Sequence, residues 1–126
     1  MGIKNTAEII LHDHFTKYVN GVKADKFGPA VYLEEIGKNK ENNIDNIYTI
    51  DEMIAESNNV VVMWNWQSTN IQFGNAVPIT LKGVSIFEFE DSRIRKVREF
   101  YDQASYYYQL GYKYISPENI TGNNIH

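Results

Sequence analysis

The stretch LKGVSIFEFEDSRIRKVREFYDQASYYYQLG, Leu81–Gly111, determines the fold that we predict for this chain. It contains two segments rich in β-branched and aromatic residues, and the pair Asp91-Ser92 between them suits a two-residue hairpin turn. Beyond the second segment the apolar residues recur at helical spacing. The stretch therefore predicts a hairpin of strands Val77–Glu90 and Arg93–Asp102, followed by a short helix.

The register of this hairpin follows from its turn, because Glu90 then pairs with Arg93 and the other pairs are found by counting outward. One face carries large apolar groups near the turn and polar groups toward the other end. Such a mixture is typical of a ligand pocket, so we expect this face to line the interior, although a one-residue shift would reverse it. Gly83 is expected to form a bulge or bend. The predicted interior face comprises Phe89, Ile94, Phe87, Lys96, Ser85, Arg98, Gly83, Phe100, Leu81 and Asp102.

A second hairpin precedes the first, with strands Ile47–Glu56 and Val60–Asn70 joined by Ser57-Asn58. Counting from this turn places Ala55, Val60, Met53, Val62, Asp51, Trp64 and Trp66 on one interior-like face. Two interpretations of Asp51 remain open: a pocket carboxylate, or a residue that bends or caps a strand near the surface. For the two tryptophans the sequence favours core packing over ligand stacking, and the two roles are compatible.

The N-terminal third of the sequence predicts mainly helices. Apolar spacing favours a helix over residues 5–15, and Pro29 suits the first turn of a second helix over residues 26–38. A short strand, Lys17–Val22, contains the turn-forming pair Asn20-Gly21, and the polar segment 38–46 reads as a loop. We therefore expect one α+β domain, residues 1–115, in which a curved antiparallel sheet forms a cone around N-terminal helices, and a loosely held tail, residues 116–126.

Composition excludes several classes of function. The 126 residues carry a formal net charge of −4 with a pI near 5.3, which disfavours nucleic-acid binding. No apolar run is long enough to span a membrane and no signal peptide is evident, so we expect a cytoplasmic protein that does not bind membranes. Cysteine is absent, and His12 and His14 are too close in sequence to share a metal on one helix face, so we expect no metal site.

The segments Leu81–Gly111 and Ile47–Trp66 together resemble the SnoaL-like polyketide cyclase group of the nuclear-transport-factor-two-like superfamily. The resemblance implies a cone-shaped α+β barrel with a hydrophobic pocket, commonly a homodimer, that works without a metal or organic cofactor. It also implies that Asp102, which matches the acid at the end of the last strand in that group, takes part in proton transfer. The outer sheet face, predicted to carry Ile86, Val97, Val84 and Tyr101, is semi-apolar and suits contact with a second copy.

Three functions are compatible with this reading. The first is a cofactor-independent cyclase or isomerase acting on a small hydrophobic molecule, with Asp102 as general acid or base and Arg98 binding an oxygen of the substrate. The second is a non-catalytic small-molecule-binding or dimeric scaffold module. The third resembles limonene epoxide hydrolase and would use Asp51, Arg98 and Asp102. The predicted substrate-binding residues are Trp64, Trp66, Ser85, Phe87, Phe100, Tyr107 and Asp51.

Overall fold

The computed structural model describes residues 10–24, 28–113 and 115–117. In chain order its elements are β1 (Leu11–Val19), β2 (Val22–Lys23), α1 (Pro29–Asn42), β3 (Asn43–Glu56), β4 (Asn59–Asn70), β5 (Val77–Glu90), β6 (Arg93–Tyr101) and α2 (Gln103–Gln109). None of the helices in this described part is long and apolar enough to cross a lipid bilayer. Most of the predicted tail, residues 118–126, lies outside it.

One curled sheet contains all six strands, in the order β2-β1-β6-β5-β4-β3. Neighbours pair antiparallel except β1 and β6, which are parallel. Helix α1 contacts β1 and β3, and α2 contacts β5. The predicted α+β class, a curved sheet with helices packed on it, is therefore confirmed.

The three predicted turns are confirmed. Each turn connects two antiparallel neighbouring strands; the turns are Asn20-Gly21, Ser57-Asn58 and Asp91-Ser92. Five of these six residues have positive φ, and Asn58 does not. Asp91 and Ser92, with φ of 52° and 63°, have the left-handed conformations that match the twist of a two-residue hairpin. Local turn chemistry thus positions the hairpins as the sequence predicts.

The predicted helix over residues 5–15 is wrong over its second half, where β1 begins at Leu11; residues 5–9 lie outside the described residues. Leu11 and Phe15 are both buried against Val97 of β6. Positions four apart share a face in a helix and also in a strand, so their spacing did not distinguish the two. Pairing with β6 decides the conformation.

The predicted loop over residues 38–46 is also wrong, because α1 continues to Asn42 and β3 begins at once. Polar side chains hold this junction together. The Asn43 amide donates to the side-chain oxygen of Asn39 at 2.7 Å, and the Asn70 amide donates to Asn43 at 2.9 Å. Asn43 and Asn70 are 2% and 0% exposed, so Asn43, one of the asparagines that suggested a solvated loop, is instead buried and hydrogen-bonded.

The register of the β5–β6 hairpin differs from the prediction after its first pairs. Glu90 pairs with Arg93 and Phe89 with Ile94, but Glu88 then pairs with Lys96, so Arg95 is an extra residue in β6. This β-bulge shifts every later pair by one and reverses the faces of the strand. Val97, Glu99 and Tyr101 therefore face inward, whereas Arg98 and Phe100 face outward.

A similar bulge corrects the placement of Asp51. Ile50 pairs with Trp64 and Glu52 with Met63, so Asp51 is the extra residue of β3. Asp51 is exposed, and its carboxylate accepts a hydrogen bond from the side-chain amide of Asn65. Asp51 thus lies at a bend of its strand on the surface, which agrees with the second interpretation given above rather than with a pocket carboxylate.

Gly83, the predicted bulge, lies instead in regular pairing between Trp64 and Tyr101. A Cβ atom placed on Gly83 would lie only 2.2 Å from Cζ2 of Trp64. Glycine is therefore present because the indole of Trp64 lies directly over the backbone of β5.

Candidate functional site

A cavity of about 350 Å³ lies on the inner side of the sheet. Residues from both helices and from four strands surround it. They are Lys17 of β1, Glu35, Ile36 and Asn39 of α1, Trp64 and Trp66 of β4, Leu81 of β5, Tyr101 of β6 and Tyr106 of α2. The curl of the sheet brings these distant segments of the chain together.

The two tryptophans form the floor of the cavity, and hydrogen bonds fix both rings. Nε1 of Trp64 donates to Oγ of Ser85 at 2.8 Å, and Nε1 of Trp66 donates to Oδ1 of Asn46 at 2.9 Å. Because their only polar atoms are satisfied within the protein, the indoles present apolar ring surface to the cavity.

Tyrosine rings extend this surface on both sides. Tyr101 lies 6.3 Å from Trp64 and Tyr106 lies 6.2 Å from Trp66, measured between ring centroids, with tilted planes. Tyr48, which is not a lining residue, stacks on Trp66 with 6.2 Å between the ring centroids. Four aromatic side chains therefore line the cavity and a fifth supports them.

An ionic cluster, Lys17, Glu35 and Glu99, adjoins the cavity; Lys17 and Glu35 line it, whereas Glu99 does not. Nζ of Lys17 is 3.7 Å from a carboxylate oxygen of Glu35 and 3.7 Å from one of Glu99. The side chains of Lys17 and Glu99 are 20% and 24% exposed, and that of Glu35 is 47% exposed. The cluster therefore combines two well-shielded groups on strands with one more accessible group on a helix.

Burial and the negative charge of Glu99 together raise the pKa of two nearby phenols, Tyr101 and Tyr48. Burial raises the pKa of Tyr101, and the negative charge of Glu99 raises it further, with smaller contributions from Tyr107 and Tyr106. Burial and then Glu99 also raise the pKa of Tyr48, although this residue is 64% exposed and solvent screens the repulsion there. Both phenols are held in their neutral form near the cavity.

A second cavity, of about 520 Å³, lies on the other side of the ionic cluster. Lys17 and Glu35 line both cavities. The remaining lining residues of the second cavity are Val19, Asn20, Val22, Lys23, Ala24 and Gln103. The Lys17–Glu35 pair thus lies between the aromatic space and a second space that has no aromatic side chain among its described lining residues.

Two of the predicted substrate-binding residues line the aromatic cavity, two lie next to its lining residues, and one belongs to a separate core. Trp64 and Trp66 line the cavity, and Ser85 is buried beneath and anchors Trp64. Phe87 faces inward but packs against the separate core of Leu11, Phe15 and Val97. Tyr107 is 42% exposed and contacts Tyr106 edge-on from outside.

The other predicted site residues, Asp102, Arg98, Phe100 and Asp51, do not line the cavity. Asp102 is exposed, and Oδ1 accepts a hydrogen bond from the backbone N–H of Ser105 at 2.9 Å, which makes it the N-cap of α2. Arg98 and Phe100 are exposed on the outer face because of the bulge at Arg95. The three residues expected of an epoxide hydrolase are therefore not gathered around one cavity.

Sequence reasoning missed Lys17, Glu35, Asn39, Glu99 and Tyr101. Lys17 was overlooked because its strand was predicted without a partner; Phe15 and Lys17 lie two apart and share the inner face of β1. Glu99 and Tyr101 were assigned to the outer face by the unshifted register. The alternation of Val97, Glu99 and Tyr101 would have identified them, had the bulge been recognised.

One group of side chains could hold a metal ion. The ligand atoms of His12, Glu90 and Asp91 lie within 4.8 Å of one another at the tip of the β5–β6 hairpin. Both carboxylates are exposed, and Arg95 lies 3.4 Å from Glu90. The positive charge of Arg95 opposes cation binding at this position.

Comparison with known proteins agrees with this architecture. Residues 4–110 match the family model described as SnoaL-like polyketide cyclase. TsrD from Streptomyces laurentii superposes with a TM-score of 0.73 at 17% identity, covering 86% of this chain and 83% of that chain. A SnoaL-like polyketide cyclase from Agrobacterium tumefaciens gives a TM-score of 0.69 at 17% identity, covering 86% and 85%.

A third solved structure has a ketosteroid-isomerase-like fold and comes from Catenulispora acidiphila, in complex with trimethylamine. Its TM-score is 0.73 at 13% identity, covering 89% of this chain and 85% of that chain. Among curated proteins, none matches this sequence. At these identities the structural likenesses establish the fold alone.

Proposed function

This chain belongs to the SnoaL-like polyketide cyclase family, and on that premise we propose that its aromatic cavity binds a small, mainly apolar molecule. The observation that carries the proposal is the aromatic lining itself. Trp64, Trp66, Tyr101 and Tyr106 all border one space, and the indole N–H groups of both tryptophans are already bonded within the protein. The indole rings therefore offer apolar contact rather than hydrogen bonds.

The size and position of the cavity support the same proposal. A volume of about 350 Å³ falls at the lower end of the range of about 300–1,000 Å³ for small-molecule sites. Its charged and amide-bearing lining residues are Lys17 of β1 and Glu35 and Asn39 of α1. A ligand would therefore place its apolar body on the aromatic floor and a polar group toward α1.

Blocking the cavity tests the proposal. Ile36 lines the cavity from α1, whereas Glu34, two residues earlier, is exposed and pairs with Lys38 at 3.3 Å. We expect N-phenyl-1-naphthylamine, an uncharged probe whose fluorescence increases in apolar surroundings, to bind the wild-type protein. Ile36→Trp should weaken this binding by at least about tenfold, because the added ring occupies the cavity.

Glu34→Trp is the matched control, since it adds the same side chain to the same helix outside the cavity. It should leave the affinity for the probe unchanged. Equal affinities of wild type and Ile36→Trp, or no fluorescence change with wild type, would contradict the proposal.

A second candidate function is proton transfer, and it is favoured by the inward position of Glu99. This carboxylate does not itself line the cavity, but it is shielded, lies 3.7 Å from the Lys17 ammonium and adds to the effect of burial in raising the pKa of Tyr101. Both Lys17 and Tyr101 line the cavity. In an isomerisation, Glu99 would take a proton from a carbon next to a carbonyl group, leaving an enolate, and would return it to another carbon. This assigns to Glu99 the role that the sequence suggested for Asp102.

Deuterium exchange separates the two carboxylates. With 1-phenylbutane-1,3-dione in D₂O, followed by proton NMR, catalysed exchange at the carbon between the carbonyls should be lost in Glu99→Gln and retained in Asp102→Asn. The reverse pattern would restore Asp102 as the acid–base group. Absence of catalysed exchange in the wild type would remove this second candidate and leave the binding function standing.

A further inference from the structure

We propose that the ligand of the aromatic cavity carries an alkylammonium group, which lies against the Trp64 and Trp66 rings and beside the carboxylate of Glu35, within the electrostatic influence of Glu99, the other partner of Lys17. The inference rests on the proposed function, since it requires that the cavity binds small molecules. It adds the charge and the chemical class of the ligand. Two independent features of the described residues carry it.

The first feature is the charge of the ionic cluster. One ammonium, Lys17, faces two carboxylates, Glu35 and Glu99, which gives a formal net charge of −1. Lys17 and Glu35 are the charged residues that line the aromatic cavity, and Lys23 lines the second cavity instead. Glu99 does not line this cavity but pairs with Lys17, so the excess negative charge that the described residues provide comes from just beyond the cavity wall.

The carboxylates are also loosely engaged. Both contacts to Nζ of Lys17 measure 3.7 Å, whereas a charge-assisted N–H···O hydrogen bond measures about 2.7–2.9 Å. A second cation could approach these oxygens without first breaking a short ionic hydrogen bond. Glu35, on the helix and 47% exposed, has the greater freedom to turn toward it.

The second feature is the aromatic lining. The face of an aromatic ring carries negative electrostatic potential, and ammonium groups bind over Trp best and over Tyr and Phe less well. Trp64 and Tyr101 meet at an angle of 53°, so these two rings form adjoining walls rather than one flat surface. An alkylammonium head group could contact more than one ring at the same time.

Both features disfavour the opposite charge. An anionic ligand would meet the excess negative charge of the cluster and the negative ring faces together. A neutral ligand would gain the apolar contacts but nothing from Glu35 and Glu99. An alkylammonium ion uses the apolar walls through its alkyl groups and the carboxylates through its charge.

A pair of probes of equal shape tests this inference. Phenyltrimethylammonium and tert-butylbenzene differ by a positively charged nitrogen in place of a carbon, and each can be titrated against bound N-phenyl-1-naphthylamine. An apolar cavity without charge selection would prefer tert-butylbenzene, since that molecule loses no ion hydration. We expect phenyltrimethylammonium to displace the naphthyl probe at concentrations at least about tenfold lower.

Substitutions of the cluster should act on the charged probe alone. Glu99→Gln and Glu35→Gln should each weaken the binding of phenyltrimethylammonium by about three- to tenfold, because each removes a negative charge. Lys17→Met should strengthen this binding, because it removes a positive charge. None of the three substitutions should change the concentration at which tert-butylbenzene displaces the naphthyl probe by more than about twofold. Glu34→Gln, on the same helix but outside the cavity, is the control and should change neither.

The outcomes separate this inference from the function on which it rests. Displacement by tert-butylbenzene at equal or lower concentration than by phenyltrimethylammonium would overturn the ammonium inference while leaving the binding function intact. Cluster variants with unchanged affinity for phenyltrimethylammonium would overturn it as well. If the naphthyl probe fails to bind the wild-type protein, the proposed function fails first and the inference fails with it.

Discussion

Replacing Gly83 with alanine should displace Trp64 and destabilise the fold. An alanine Cβ at this position would lie 2.2 Å from Cζ2, 2.5 Å from Cη2 and 2.7 Å from Cε2 of the indole. These distances are far inside van der Waals contact, and the clash is with the ring itself rather than with a flexible side-chain end. The indole must therefore move away from β5, and its hydrogen bond to Ser85, 2.8 Å long, is broken.

The expected cost combines three effects. Overpacking of a well-packed site costs about 1–3 kcal/mol. Loss of the hydrogen bond to the buried Ser85 hydroxyl adds about 1 kcal/mol. The lower entropy of the unfolded alanine chain offsets about 0.5 kcal/mol. We expect the free energy of unfolding to fall by about 2–3 kcal/mol.

Urea denaturation followed by circular dichroism measures this change, and a double-mutant cycle assigns it. In a Trp64→Leu background the clash is absent, so Gly83→Ala should then be nearly neutral. Gly37→Ala is the matched control: Gly37 lies within α1 with open space around it, and the same substitution there should stabilise by about 1 kcal/mol. A Gly83→Ala protein as stable as the wild type would show that Trp64 does not lie over β5.

Three further predictions concern other parts of the molecule. Asp102→Ala should destabilise by about 1 kcal/mol in urea, because α2 loses its N-cap, whereas Asp102→Asn should cost only a few tenths; equal losses would contradict the capping role. Ultraviolet titration should show Tyr101 ionising above the ordinary value of 10.0, since burial and then Glu99 raise its pKa. Folding favours the neutral phenol, so the stabilising contribution of Tyr101 is complete below pH 10 and declines as the pH rises further. Glu99→Gln should lower the pKa of Tyr101 only in part, and an unchanged pKa would exclude the charge effect. Analytical ultracentrifugation should show a dimer formed through the outer sheet face, which Phe100→Lys disrupts and Tyr108→Lys on α2 does not; a monomeric wild type would contradict this assignment.

The apolar part of that outer face differs from the one predicted. Val97 and Tyr101 are inward, whereas Arg98 and Phe100 take their place beside Val84 and Ile86. Phe100 is 42% exposed and pairs with Val84, which in turn pairs with Met63 of β4. The surface proposed for self-association is thus a row of apolar side chains across three strands.

Local sequence signals predicted the hairpins well. The bounds of β5 agree with the prediction at both ends, and Asp91-Ser92 forms the expected turn, because both features depend on residues adjacent in sequence. The assignment of faces failed four residues beyond that turn, at Lys96. The bulge at Arg95 accompanies contacts of this side chain with Glu90 and with the backbone carbonyl of His14. Residue His14 belongs to β1, so pairing information within the hairpin could not reveal the shift.

The candidate site was predicted only in part for the same reason. Trp64 and Trp66 were identified because the alternation of side chains along β4, counted from the turn at Ser57-Asn58, fixes their face. The bulge at Asp51 lies in the partner strand β3 and leaves that alternation unchanged. Lys17 and Glu35 come from elements whose contacts with the sheet are distant in sequence. Asp102 was assigned to the pocket by the unshifted register and to proton transfer by family likeness, whereas its backbone position at the start of α2 makes it a cap.

The bulges in β3 have a further consequence for the molecule. This strand is at the end of the sheet, and its pairing with β4 is interrupted between Ile44 and Ile47 and again between Ile50 and Glu52. Each interruption alters the twist and breaks the spacing of the outward backbone amides and carbonyls. The free edge is thereby divided into short pieces, so it is a poor template for the growth of a fibril even though its side chains include isoleucine and methionine.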